Sequence, residues 1–260
     1  MNDIWNKDLE QIHDTLQGEM RLVGGCVRDF LLGLTPRDFD IATPIKPQNV
    51  LSLLQNAGIK TIETTLKYGV ITAIINSKKY EITTLRRDEY RKKSPDIYWV
   101  QDYETDAHRR DFTINALSMD ENGTIYDYLG GREDLANHIV RFIGDPEQRI
   151  WEDPLRICRY VRFCFLYGNG EPDKDILEMS KKYISSLPFT SRSRRHKEIL
   201  KILTLPRVSD ALTILEEIGA LQYLSSKKEV YLDRTRLNNI PITSESGLRH
   251  TQNNNPDKMF

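Results

Sequence analysis

Residues 22 to 43 read LVGGCVRDFLLGLTPRDFDIAT, and this stretch decides the fold. Its apolar start predicts a strand, which breaks at Gly24-Gly25 and continues into a short helix over Cys26–Leu32 that Gly33 ends. A second strand is predicted at Phe39–Ala42. The two glycines therefore lie between a strand and a helix start, where free backbone N–H groups favour an anion such as a triphosphate.

Two carboxylates flank the first residue of the second predicted strand. Successive side chains of an extended chain alternate between faces, so Asp38 and Asp40 share one face while Phe39 and Ile41 point into the core. Carboxylates this close repel each other unless a cation lies between them, and a hard divalent ion such as Mg²⁺ meets that need. The alternative interpretation is a polar strand face in solvent.

The residues after the glycines strengthen the interpretation as an anion site. Arg28 and Asp29 follow on the predicted helix, where Arg28 is placed to reach phosphate oxygens. The sequence has no GxxxxGK[ST] motif, so P-loop chemistry is not expected. An anion-binding turn shortly before a carboxylate pair favours a nucleotide-handling site.

Composition excludes several classes of protein. Of the 260 residues, 39% are hydrophobic and 29% charged, which is typical of a soluble globular chain. No apolar stretch approaches the ~18 residues that span a bilayer, and the N-terminus lacks the pattern of a signal peptide, so we expect a cytoplasmic protein. Cys26, Cys158 and Cys164 are too widely spaced for a disulfide framework or a CxxC metal site.

Charge is balanced overall but uneven along the chain. The formal net charge is -1, which by itself does not indicate a nucleic-acid binder. Basic residues nevertheless cluster between Arg86 and Lys93 and between Lys181 and Lys201. Such clusters can bind a polyanion, and the alternative is an ordinary solvated face.

The spacing of apolar residues and the composition divide the chain into three predicted segments. Residues 1–145 mix strands with helices, including a hairpin of Val70–Ile75 and Tyr80–Leu85 joined by a loop over residues 76–79, so an α+β domain is expected. Strand signals fade in residues 146–224, which predict a helical domain. The polar, turn-rich residues 225–260 are expected to be partly disordered.

Four ordered motifs resemble those of the class II tRNA nucleotidyltransferase (CCA-adding enzyme) and poly(A) polymerase family. The first is the GG-x-V-R-D…D-x-D pattern within residues 22–43. Residues 108–117, HRRDFTINAL, are similar to the RRDFT-x-NA motif, and residues 127–135, DYLGGREDL, to the segment that follows it. Residues 152–156, EDPLR, are similar to EDxxR. The resemblance implies a polymerase-β-like nucleotidyltransferase head with a small mixed sheet, followed by an all-helical neck.

The resemblance also implies roles for individual residues. Asp38 and Asp40 would hold two Mg²⁺ ions, with Glu81 as a third catalytic carboxylate near them. Arg110 and Asp111 would contact the ribose, with the carboxylate accepting from the 2′-OH. The residues expected to bind nucleotide are Gly24, Gly25, Arg28, Asp29, Arg110, Asp111, Asn115, Asp153, Arg156, Arg159 and Arg162.

Asp153 and Arg156 form the most specific of these expectations. Pro154 suits the first turn of a helix, and residues three apart project from one side of it. In the family this pair is a protein template that accepts CTP and ATP and rejects GTP and UTP. The alternative is an N-terminal cap with a local Glu152–Arg156 or Asp153–Arg156 ion pair.

Two further segments bear on the resemblance. Residues 86–105 resemble the flexible loop that helps to switch the pocket from CTP to ATP, which argues against an enzyme that adds only CC. Ser191–Leu203 lies where the family has a helix of the type ERIRxE-x-x-KIL, but Ser193 and Arg195 depart from that pattern. The departure concerns the packing of the neck and not the metal chemistry.

The function that the resemblance implies is Mg²⁺-dependent addition of C and A residues to the 3′ end of tRNA. CTP and ATP would be the substrates, and pyrophosphate would be released. The alternatives are an A-adding enzyme or poly(A) polymerase, which shares the same head, and a truncated, non-catalytic RNA-binding remnant. The remnant stays open because family members commonly continue beyond residue 260 with regions that measure the tRNA.

Overall fold

The computed structural model describes residues 4–91 and 94–224. Nine strands occur in this part of the chain: β1 (Arg21–Val23), β2 (Phe39–Thr43), β3 (Lys60–Ile62), β4 (Val70–Ile75), β5 (Lys78–Thr84), β6 (Arg86–Glu89), β7 (Asp96–Trp99), β8 (Ser118–Met119) and β9 (Ile125–Tyr126). Seven of them form one sheet in the order β3-β4-β5-β2-β1-β8-β9, and β6 pairs with β7 alone. Only β2 and β5 run parallel in the larger sheet.

The described helices are interspersed with the strands as far as β9, and only helices follow in the described residues. They are α1 (Lys7–Thr15), α2 (Gly25–Leu31), α3 (Pro47–Asn56), α4 (Tyr103–His108), α5 (Gly131–Ala136), α6 (Pro146–Glu152), α7 (Leu155–Leu166), α8 (Lys174–Ser180), α9 (Arg192–Leu203), α10 (Val208–Glu217) and α11 (Leu221–Leu224). The mixed sheet and the helical region confirm the predicted α+β class. No helix in the described ranges has the length and apolar character needed to cross a membrane.

The core of the sheet follows the alternation predicted for its strands. Ile41 on β2 and both Tyr80 and Ile82 on β5 are fully buried, and they pack with Leu9 and Ile12 of α1. Burial of these side chains fixes the register of β2 against β5, because a slip by one residue would turn the apolar set towards solvent. The same register places Asp40 of β2 and Glu81 of β5 on the other face.

The β4–β5 hairpin is tighter than predicted. The expected loop over residues 76–79 is wrong by two residues, because Lys78 and Lys79 belong to β5 and pair with β4. Only Asn76 and Ser77 form the turn, with φ of 48° and 64°. Positive φ at both positions gives a two-residue turn whose twist matches that of the strands, and Asn76 donates to Asp8 at 2.7 Å.

The segment expected to be a flexible loop, residues 86–105, contains regular structure. β6 and β7 pair along four residues each, and α4 begins at Tyr103. Residues 92–93, between the two strands, lie outside the described residues. The Trp99 ring packs on Gly69, where an added Cβ would lie 2.5 Å from the ring, so a larger residue at position 69 would displace β7.

The helical region packs around α7. Its buried side chains share one hydrophobic cluster with α9 and α10, and this cluster also includes Phe112 and Phe142 from the preceding segment. The core therefore continues across position 145, and the predicted domain limits stay a prediction. The predicted disorder of residues 225–260 falls outside the described residues.

The departure at Arg195 has a structural explanation. Arg195 extends from α9 to the end of the 3₁₀ helix Lys181–Phe189, where it donates to the carbonyl groups of Leu187 at 3.1 Å, Pro188 at 2.9 Å and Thr190. These carbonyls lie at the end of the 3₁₀ helix, where that of Leu187 also accepts from the amide and hydroxyl of Thr190. A guanidinium thus joins two helices where the family pattern has an apolar contact.

Candidate active site

One cavity of about 1000 Å³ brings the predicted site residues together. Its walls come from α2, the start of β2, the segment around Arg110, and helices α7 and α9. All predicted site residues except Glu81 line it, namely Gly24, Gly25, Arg28, Asp29, Asp38, Asp40, Arg110, Asp111, Asn115, Asp153, Arg156, Arg159 and Arg162. Motifs separated by up to about 130 residues in the sequence therefore meet at one place.

The glycine turn allows a close approach of backbone and side chains. Gly24 has φ of 72° and ψ of -126°, a conformation that favours glycine. A Cβ at this position would lie 3.0 Å from Nη1 of Arg110 and 4.0 Å from Oδ2 of Asp40. The absence of a side chain thus leaves open the space next to both charged groups.

The carboxylate pair has the character that a divalent cation requires. Asp38 is exposed and Asp40 half-buried, and both line the cavity. Burial raises the pKa of the Asp40 carboxyl; Arg110 opposes this effect, whereas Glu81 and Asp38 add to it by charge repulsion. A bound cation would remove this repulsion, so the donor set fits a divalent ion.

The structure gives the cation few protein ligands. Among residues 4–91 and 94–224, no group of three or more His, Cys, Asp or Glu side chains is arranged to hold a metal ion. Glu81 pairs in register with Asp40 across β2 and β5, but it is exposed and lies outside the cavity lining. Two carboxylates suit an ion such as Mg²⁺, which usually keeps waters and substrate phosphates as further ligands.

Arg28 is buried in a network of hydrogen bonds. Its Nη1 donates to Asn115, its Nη2 donates to the hydroxyl of Tyr167 at 2.7 Å, and its Nε donates to Asp29 at 3.0 Å. Its guanidinium carbon also lies 4.0 Å from the centre of the Tyr167 ring. Arg28 therefore connects α2 to Tyr167, the residue that follows α7, and any phosphate contact would be made by a side chain that is already fixed.

Asp111 has all its acceptor positions in use. Oδ1 accepts from the amide of Phe112 at 2.9 Å and from Asn115 at 3.0 Å, and Oδ2 accepts both Nε and Nη2 of Arg159. Burial would raise the pKa of Asp111, but the charge and hydrogen bonds of Arg159, together with Asn115, hold it well below its ordinary value. A ribose 2′-OH could bind this carboxylate only in exchange for one of these partners.

Arg110 is oriented by a buried carboxylate that the sequence motif did not indicate. Asp106 accepts from Arg110 Nη2 at 3.1 Å and from Arg109 Nε at 2.7 Å. Nη1 of Arg110 remains directed at the backbone near Gly24, donating to the Asn115 carbonyl at 3.4 Å. Asp106 thus holds Arg110 between the glycine turn and Asp40.

The predicted template residues have different partners. Nη1 of Arg156 lies 2.7 Å from the carboxylate of Glu152, which is one of the two local ion pairs considered as the alternative to a template. Asp153 pairs instead with Arg194 on α9. Nη1 of Arg156 also donates to the carbonyl of Arg149 at 2.9 Å. The Nε and Nη2 donors of Arg156 have no partner among the described residues, so one edge of this guanidinium is available in the cavity.

Besides Asp106, three residues of the site were not predicted from the sequence as site residues. Glu198, buried on α9, accepts from Arg162 Nε at 2.6 Å and lies 3.9 Å from Arg159 Nη1. The sequence signal for Glu198 was its match to the pattern of the family's neck helix. Arg194 stands at an arginine of the same pattern, which does not indicate its partner, and Tyr167 gave no signal because its contacts cross the cavity.

Comparisons with known proteins agree with this site. Residues 20–141 match the model of the poly A polymerase head domain. The chain is 38% identical over 222 residues to CCA tRNA nucleotidyltransferase 1, mitochondrial, of Danio rerio, covering 83% of this chain and 51% of that protein. It is 34% identical over 226 residues to the CCA-adding enzyme of Staphylococcus epidermidis, covering 86% and 55%. The chain thus spans about half the length of the curated relatives it matches.

Solved structures give the same result. The Bacillus stearothermophilus CCA-adding enzyme in complex with CTP superposes with a TM-score of 0.71 at 34% identity, over 86% of this chain and 56% of that one. A tRNA nucleotidyltransferase complexed with a primer tRNA and an incoming ATP analog superposes with a TM-score of 0.64 at 26% identity, over 83% and 62%. From its motifs, its fold and these relatives, residues 20–141 are similar to the poly A polymerase head domain, and the chain resembles the class II tRNA nucleotidyltransferase and poly(A) polymerase family.

Proposed function

We propose that this chain adds C and A residues to the 3′ end of tRNA, using CTP and ATP and releasing pyrophosphate. The observation that carries the proposal is that the carboxylate pair, the glycine turn and Arg156 line one cavity. The names of the relatives support it, as do solved neighbours described as complexes with CTP or with a primer tRNA and an ATP analog.

The carboxylate pair is the part of the site that would hold metal. Asp38 and Asp40 would bind Mg²⁺, which would supply charge neutralisation at the reacting oxygen atoms. The rest of the work falls to the chain itself. The bare backbone at Gly24 admits the phosphates, while Arg110, held by Asp106, adds a fixed positive charge beside them.

Base selection would use both residues of the template pair, Asp153 and Arg156. The carboxylate of Asp153 accepts, and the free edge of Arg156 donates, which matches the exocyclic amino group and ring nitrogen acceptor of cytosine and adenine. Guanine and uracil present the reverse pattern, a ring N–H beside a carbonyl oxygen, and would leave both residues unpaired. An unpaired polar group in the cavity costs far more than a missing apolar contact, so the selection is strong.

The test is incorporation of each of the four nucleotides into a tRNA that ends before its CCA. We expect Mg²⁺-dependent incorporation of CMP, followed by AMP when both triphosphates are present, and none after chelation of the metal. Asp38→Asn should lose turnover and retain tRNA binding. Extension with ATP alone would instead indicate an A-adding enzyme or poly(A) polymerase, and tRNA binding without any metal-dependent incorporation would indicate an RNA-binding remnant.

We also propose that the protein acts in the cytoplasm. The proposal rests on the sequence having no apolar run that approaches the ~18 residues needed to span a bilayer. Several of the similar relatives carry the word mitochondrial in their names. Fractionation of source cells with antibodies to this chain distinguishes the two locations, and enrichment in an organelle fraction would refute the proposal.

A further inference from the structure

Arg194 contacts Asp153 across the cavity. It lies in the first turn of α9, and its Nη2 donates to Oδ2 of Asp153 while its Nη1 donates to Oδ1 at 3.4 Å. The pair is therefore a two-point contact between a guanidinium and a carboxylate, a geometry that fixes the plane of both groups. Both residues line the cavity.

This contact limits how Asp153 can accept further hydrogen bonds. A carboxylate has about four acceptor positions, two on each oxygen. On Oδ1, one is used by Arg194 and another by the amide of Leu155 at 3.3 Å. On Oδ2, Arg194 uses one. One acceptor position remains, on Oδ2, and its direction is set by the plane that Arg194 imposes.

The contact contributes little to holding the helix. The side chain of Arg194 is 52% exposed, and exposed ion pairs add little to stability. α9 is fixed elsewhere, by its Ser191 cap and by the buried pair between Glu198 and Arg162. A guanidinium that is dispensable for packing but sets the geometry of a base-reading carboxylate has its main effect on recognition.

We propose that Arg194 is a specificity-determining positioning residue, which leaves Asp153 a single acceptor direction and so restricts it to bases that carry an exocyclic amino group. The inference rests on the proposed function, because it concerns how the same site selects its nucleotide. Without Arg194, the carboxylate of Asp153 can rotate about its side-chain bonds. It can then also accept hydrogen bonds from bases with the reversed donor and acceptor pattern.

The experiment compares steady-state incorporation of CMP and UMP, as kcat/KM, for wild type and Arg194→Ala. We expect the preference for CTP over UTP to fall by roughly tenfold, the effect of losing one oriented charged hydrogen bond. Arg194→Lys should give an intermediate preference, since an ammonium keeps the charge but lacks the planar fork. Arg192→Ala, an exposed basic residue on the same turn that does not line the cavity, should keep the wild-type preference.

A second arm separates recognition from folding. In an Asp153→Ala background, adding Arg194→Ala should leave the CTP-to-UTP preference unchanged, because the carboxylate that Arg194 positions is gone. Equal loss of incorporation for all four nucleotides in Arg194→Ala, or a further change of preference in the double variant, would overturn the inference while leaving the proposed function intact. Wild-type protein that incorporates no nucleotide would instead refute the proposed function, and this inference with it.

Discussion

Asp40 and Glu81 lie directly opposite each other on the parallel strands β2 and β5, and only Asp40 faces the cavity. Burial has the largest effect on the Asp40 carboxyl and raises its pKa. Arg110 lowers this pKa, and the negative charge of Glu81 raises it further. The two carboxylates are thus neighbours with unequal access to a ligand.

Substitutions at these two positions should therefore differ in severity. We expect Asp40→Asn to lower Mg²⁺-dependent CMP incorporation by roughly a thousandfold, because a ligand to the ion is lost. Glu81→Gln should lower it by no more than about tenfold, because only a nearby charge is lost. Rates are measured under saturating Mg²⁺ and compared with the melting temperature of each variant. A loss in Glu81→Gln as severe as that in Asp40→Asn would identify Glu81 as a metal ligand.

The glycine turn gives a second prediction. Gly24→Ala should reduce incorporation by more than about tenfold and destabilise the protein by about 1–3 kcal/mol, since the backbone conformation is one that side chains avoid and the new Cβ meets Arg110. Gly33→Ala is the matched control, with φ of 70° and no atom within 4 Å of an added Cβ. It should lose some stability in urea unfolding and retain activity. Equal activity losses in both variants would exclude a specific role for the turn.

Tyr167 connects the two ends of the Arg28 network through its hydroxyl. Tyr167→Phe removes the bond from Arg28 at 2.7 Å and the bond to Asp29 at 3.2 Å. We expect a destabilisation of about 1 kcal/mol and a higher KM for CTP, since Arg28 is no longer fixed beside the cavity. Tyr183→Phe, which removes a hydroxyl contact to Glu147 at the surface, should leave KM unchanged. An unchanged KM in Tyr167→Phe would show that the network is purely structural.

Glu198 balances the positive charge of two arginines of α7, so its removal should lower the free energy of unfolding. Glu198→Ala leaves the buried guanidinium of Arg162 without its partner, and we expect a loss of about 3–5 kcal/mol in the free energy of unfolding. Glu178→Ala, at an exposed pair with Lys181, should change it little. Urea unfolding of both variants provides the comparison. A loss in Glu198→Ala as small as that in the control would mean that solvent replaces the missing carboxylate.

The low pKa of Asp111 predicts a pH dependence of stability. A carboxyl whose pKa is lower in the folded than in the unfolded chain stabilises the fold above the unfolded value, about 4, and this contribution is lost as the pH falls towards the folded value. The difference in unfolding free energy between wild type and Asp111→Asn should therefore be largest near pH 7 and shrink between about pH 5 and pH 3. A difference that stays constant over this range would contradict the assignment.

Sequence alone determined the elements whose causes are local. The alternation of Asp38, Phe39, Asp40 and Ile41 gave the strand and its polar face, and Gly33 gave the end of α2. The motifs around Arg110 and Arg156 identified residues that line the same cavity. Local pattern suffices here because side-chain alternation and helix caps depend on neighbours in the chain.

Only the tertiary structure decided which groups are partners. Asp153 pairs with Arg194 rather than with Arg156, Asp111 is saturated by Arg159, and Glu81 lies beside Asp40 but outside the cavity. These choices depend on the relative position of α7, α9 and the sheet, which no spacing in the sequence encodes. A charged side chain pairs with whichever opposite charge packing brings within reach, so its partner follows from the fold and not from the motif.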